Sequence, residues 1–134
     1  VNGTPFPIDD RRGIPEMIFK GTLEHFSEDT LTRFRRRMCG SSGQTEEFLS
    51  HTPTRTAEEL REELAALALG ITAYGSSSFI WDRAIIGNRD KIFPPRNQHE
   101  AWQGTEIMET EAEHYETSLF SRLLEGKGEE WTRH

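Results

Sequence analysis

The sequence predicts a mainly α protein: a single small bundle of about four helices with an extended N-terminal arm. Two observations predict it. Several segments place apolar residues at the three-and-four spacing of a helix between a polar cap and a glycine stop. The run from Leu64 to Trp81 then holds eighteen residues without one charged side chain in a chain that is 29% charged, which places the core there. No internal repeat or second domain is visible, and 134 residues suit one compact domain.

Residues 1–26 read as the arm, 27–126 as the helical domain and 127–134 as a flexible tail. Gly3, Pro5, Pro7 and Gly13, with the charged cluster Asp9 to Arg12, favour extended chain, and Met17-Ile18-Phe19 reads as a short strand or docked segment. Ser27 caps a helix with acids in its first turn and arginines in its last, before Gly40; Leu31, Phe34 and Met38 form its apolar stripe. Gly40 to Thr45 reads as a loop, and Glu46 to His51 adds one turn.

Thr56 and Glu59 form a capping-box pattern, and Leu60, Leu64, Leu67, Ile71 and Tyr74 follow at helical spacing, so this helix is predicted to be central. Gly75 ends it, and the serines at 76 to 78 make a corner and cap a further helix from Phe79 to Gly87-Asn88. Pro94-Pro95 interrupts regular structure, leaving Asn97 to Gln103 as at most a short turn of helix. Thr105 caps the last long helix, with Met108, Ala112, Tyr115, Leu119 and Leu123 buried and Gly126 as its stop.

The formal charge is −7, which repels nucleic-acid phosphates overall. The single cysteine, Cys39, excludes an internal disulfide and fits a reducing compartment, so the expected location is cytoplasmic. The uncharged run from residue 64 to 81 is not expected to span a membrane, because Gly75 and the serines dilute it. No secretory-signal pattern opens at Val1.

Chemistry is less legible. Glu111-Ala-Glu-His114 has the Glu-x-x-His spacing of di-iron bundles, but occurs once and on the outer side of the predicted helix. Glu106, Glu109, Glu113 and Glu116 recur as an acidic ridge along that helix. Arg33, Arg35, Arg36 and Arg37 crowd one helix end, which suits its dipole. Cys39, the serines at 76 to 78 and the histidines at 25, 51, 99, 114 and 134 lie in no nucleophile motif, so no catalytic residue and no cofactor is predicted.

The function expected on these grounds is a non-enzymatic subunit or adaptor that docks into a larger assembly, or onto its own copies. Phe6, Ile8, Phe19, Arg33, Arg35, Arg36, Arg37, Trp102 and Trp131 are its predicted contact residues. A second expectation is a metal-binding or enzymatic helical protein using Glu111 and His114. A third is a nucleic-acid-associated regulator using Arg33 to Arg37.

Overall fold

The computed structural model of the protein describes residues 1–52, 54–75 and 79–132. Six α-helices, two β-strands and a terminal 3-10 turn follow in the order α1 (Glu16–Glu24), α2 (Glu28–Cys39), α3 (Ser42–Ser50), α4 (Ala57–Tyr74), β1 (Arg83–Gly87), α5 (Pro95–Ala101), β2 (Glu106–Thr110) and α6 (Thr117–Leu124), with the turn at Glu129–Trp131. The strands pair in parallel, Arg83 opposite Glu106 and Gly87 opposite Thr110, and α5 is the crossover between them.

The helices with the clearest end signals form as their sequences dictate. The Ser27 hydroxyl accepts from the Thr30 N–H, and α2 stops at Gly40, whose φ of 74° is left-handed. The Thr56 hydroxyl accepts from the Glu59 N–H while the Glu59 carboxylate accepts from the Thr56 N–H, closing a reciprocal capping box on α4.

The single helical bundle is overturned. The helix expected from Phe79 to Asn88 is β1, and the first half of the helix expected after Thr105 is β2. Ala84, Ile85, Ile86 and Gly87 are all buried, and a parallel strand covered on both faces reads as a continuous apolar run rather than an alternating one. Such a run is indistinguishable from a buried helix by periodicity alone. Conversely, Met17 to Phe19 is not a strand but part of α1, and the expected loop after Gly40 opens α3. The corner expected at Ser76 to Ser78 lies outside the described residues.

The core is also displaced from its expected place. Leu67, Leu69, Phe79, Ile80 and Trp81 are all more than half exposed, whereas Ile86 and Leu119 are fully buried. Ile85, Ala112 and Leu119 form the packed centre, with Phe120 and Leu123 against it. Burial therefore follows β1, the segment just after β2 and α6, not the uncharged run.

The arm is not free chain. Ile8 and Ile14 form a parallel bridge, the Asn97 amide donates to the Asp10 and Gly13 carbonyls, and the Trp102 indole N–H donates to the Gly3 carbonyl at 2.9 Å. Helix α5 thus fastens residues 1–15 beside the sheet. No described helix is long and apolar enough to cross a membrane.

Candidate active site: a buried carboxylate and its histidine

Parallel pairing brings the carboxyl ends of β1 and β2 to one edge of the sheet. Asp90 lies three residues beyond β1 and His114 four residues beyond β2. The two extensions stay together after the strands end: the Asn88 N–H donates to the Thr110 carbonyl at 2.9 Å and the Arg89 N–H to the Ala112 carbonyl at 3.0 Å. Gly87 is required at this junction, because a Cβ there would meet the Ala112 oxygen at 2.6 Å. Imidazole and carboxylate meet at 2.9 Å, His114 Nδ1 to Asp90 Oδ2, with the Asp90 side chain fully buried.

Asp90 organises its own surroundings. Its Oδ1 accepts from the Ile92 and Phe93 N–H groups at 2.8 and 2.9 Å, an Asx turn that folds the loop back. Oδ2 accepts from Gln98, whose amide also donates to the Phe93 carbonyl. The turn delivers the Phe93 ring onto the His114 imidazole, centroids 5.9 Å apart and planes 12° from parallel. An acceptor surrounded by donors assigns the shared proton to Nδ1. Among the described residues no hydrogen bond reaches Nε2.

An apolar cavity of about 540 Å³ begins at the residues directly after Asp90. Lys91, Ile92 and Pro94 form one wall, and α1, α2 and α4 the others, through residues such as Phe19, Leu31, Phe34 and Leu64. Its volume is within the range of small-ligand pockets, roughly 300–1,000 Å³.

The residues singled out from sequence are dispersed. Phe6 lies under the Arg12 guanidinium at 3.7 Å, Ile8 is in the arm bridge, and Phe19 lines the cavity. Arg33, Arg36 and Arg37 are exposed, while Arg35 is half-buried near the Phe48 ring. Trp102 meets the Trp81 ring edge-on as well as holding Gly3, and the indole of the half-exposed Trp131 donates to the Leu123 carbonyl.

Glu111 and His114 do not share a helix. They lie in the loop before α6, with Glu111 exposed and His114 turned to Asp90. No group of three metal-ligating side chains occurs among the described residues. The acidic ridge is likewise dissolved: Glu106 pairs with Arg83, Glu109 with His99, Glu113 with Arg89, and Glu116 accepts from Gln44. His134 lies outside the described residues.

Asp90, Gln98 and Asn2 were missed in the sequence. The available signal was the β-branched Ile85-Ile86 followed by Gly87-Asn88, a strand ending in a turn with an acid two residues on. A histidine held by a buried carboxylate, both just past the carboxyl ends of adjacent parallel strands, has the arrangement of the acid and imidazole in hydrolytic triads, here in the chain order Asp then His.

Comparison with known proteins gives the family. Residues 1–125 match the family described as "Pimeloyl-ACP methyl esterase BioG", and the chain belongs to this family. A Bacteroides fragilis (strain 638R) protein named malonyl-[acyl-carrier protein] O-methyltransferase is 49% identical over 126 residues, 92% of this chain and 26% of that protein. An uncharacterized protein of Haemophilus influenzae (strain KW20 / Rd) is 43% identical over 123 residues, 90% of this chain and 57% of its own length. The crystal structure of selenomethionine BioG from Haemophilus influenzae matches with a TM-score of 0.81 at 42% identity, covering 88% of this chain and 56% of that one. The chain thus spans about half or less of the relatives it matches. Membership of an esterase family overturns the expectation of a non-enzymatic adaptor or assembly subunit, and the mixed fold overturns the all-helical reading.

Proposed function

We propose that the chain carries the acid–base half of an ester-hydrolysing site, with Asp90 and His114 as its catalytic pair. The 2.9 Å contact between them is the observation that carries the reading. In this scheme His114 Nε2 takes the proton of a serine hydroxyl as that oxygen attacks the ester carbonyl. The same nitrogen then returns the proton to the departing alcohol, and water repeats the cycle to free the acid. Asp90 holds the ring in the Nδ1–H tautomer and stabilises the imidazolium formed in between.

The serine is the third member the reading requires. The sequence contains no Gly-x-Ser-x-Gly turn, and no described serine reaches His114 by a hydrogen bond. A protein of the relatives' full size is therefore the species to assay.

For substrate, we propose a methyl ester on an acyl chain delivered by a carrier protein, the class named by the family description. The cavity that starts at Lys91, next to Asp90 in sequence, supports it, since its mainly aliphatic and aromatic walls, with Arg37, Arg55 and Glu63 among them, suit a run of methylenes. The carrier is then the protein partner; nothing in the fold favours nucleic acid.

Methanol release from a carrier-bound monomethyl ester tests the reading. Asp90→Asn and His114→Ala are expected to lower kcat by on the order of 10³–10⁴-fold. Wild-type turnover in either variant would sink it.

A further inference from the structure

Asn2 is a further buried polar residue at the site, in addition to Asp90 and Gln98, and every atom of its side-chain amide is used. Its Oδ1 accepts from the Gly87 N–H at 2.9 Å, and its Nδ2 donates to the carbonyls of Glu113 and of His114, each at 3.0 Å. Its own N–H donates to the Ile85 carbonyl at 3.2 Å. One side chain thus ties the end of β1, three residues before Asp90, to the backbone of the histidine that Asp90 holds.

The backbone conformation of Asn2 points the same way. Its φ of 50° is in the left-handed region, and it is the one non-glycine residue there among those described. Asparagine tolerates that region better than other side chains, glycine apart, yet the conformation still costs energy. Glycine would relieve the strain but supply no amide. A residue kept in an unfavourable conformation with its side-chain amide and N–H engaged is held for its contacts.

Other contacts secure the loop without reaching His114 itself. The Tyr115 N–H donates to the Met38 carbonyl at 2.9 Å, and the Glu113 N–H to the Glu116 carboxylate at 3.2 Å. Among the described residues, Asn2 alone hydrogen-bonds the His114 carbonyl. The imidazole is fixed at its tip by Asp90 and at its root by Asn2, and both loops are referenced to the same β-strand.

We propose that Asn2 is a positioning residue: it sets the separation of the Asp90 and His114 loops, and so the aim of Nε2, without touching substrate. This rests on the hydrolytic reading of the pair. The geometry needs a donor and an acceptor on one short side chain. Aspartate keeps the size and the acceptor for Gly87 but sets a carboxylate oxygen against two carbonyls.

The test uses a protein of the relatives' full size carrying Asn2→Asp or Asn2→Ala, with His114→Ala as control. The readouts are ester hydrolysis and the downfield imidazole N–H proton resonance that His114→Ala abolishes. Both Asn2 variants are expected to lower kcat roughly 10²-fold with KM held within about twofold, and to broaden or remove the resonance. Wild-type kcat with the resonance intact, while His114→Ala is inactive, would overturn the positioning role and leave the catalytic reading standing. A fall in kcat with the resonance unmoved would overturn it too. Full hydrolysis by His114→Ala would instead remove the catalytic reading, and the resonance in the Asn2 variants would then decide the positioning role alone. Should Asn2→Ala fail to fold, Asn2→Asp, which retains the Gly87 contact, carries the test.

Discussion

Gly40 and Cys39, the last turn of α2, illustrate how single residues shape the site from outside it. Gly40 is left-handed, and a Cβ there would stand inside contact distance of the Glu113 carboxyl, next to His114 in sequence. Gly40→Ala should destabilise the fold by at least about 1–2 kcal/mol, the cost of that conformation alone. Urea denaturation should show part of the loss restored in the double variant with Glu113→Ala, because the collision is then relieved. Fully buried Cys39 has its thiol pushed up, first by burial and in the same sense by the Glu113 charge, against a hydrogen bond with Thr45 that lowers it. Iodoacetamide at neutral pH should therefore leave the native thiol unmodified and label it after unfolding; mass spectrometry finding native labelling at the unfolded rate would contradict this. Asp90 could not be identified by such local reasoning. A lone acid after a turn is common, and only the partner 24 positions later makes it chemical.

Two helices are legible because their ends carry side-chain chemistry next to a helical apolar period, whereas α3 has a Ser41 cap but no such period, and its start reads as a loop. Helices α2 and α4 declare themselves through Ser27, Thr56, Glu59 and Gly40, whose hydrogen bonds and dihedral preferences are local. Strands β1 and β2 do not, because a strand gains its hydrogen bonds from a segment remote in sequence. The terminal turn shows the same dependence. Glu130 Oε1 accepts from Arg122 at 2.7 Å, Arg83 donates to the Glu130 and Thr132 carbonyls, and Trp131 is tied to Leu123. The Arg122 hydrogen bond holds the Glu130 carboxyl below its ordinary range. The folded state therefore binds fewer protons than the unfolded state as pH falls into that range. The contribution of this contact is present above the ordinary glutamate range and fades as pH drops through it. Thermal unfolding of Arg122→Ala should match wild type more closely in acid than at neutral pH; an equal deficit at both would argue against the contact.

Across the whole molecule, the distribution of burial separates scaffold from surface. Leu119, fully buried against Ile85 and Ala112, should cost about 2–5 kcal/mol on truncation to alanine. Leu69, 74% exposed in the middle of the uncharged run, should cost under about 0.5 kcal/mol. Urea titrations of both variants compare the core found here directly with the core that composition suggests. The sequence by itself determined the capped helices, the absence of an internal disulfide and the net acidity, all of which depend on residue identity or near neighbours. Tertiary structure alone decided that two apolar segments are parallel strands, that Asp90 faces His114, and that Asn2 reaches both their loops. The physical reason is distance along the chain: strand pairing and the Asp90–His114 contact join residues more than twenty positions apart, and neither a hydrophobic period nor a local motif encodes which remote segment will be the partner.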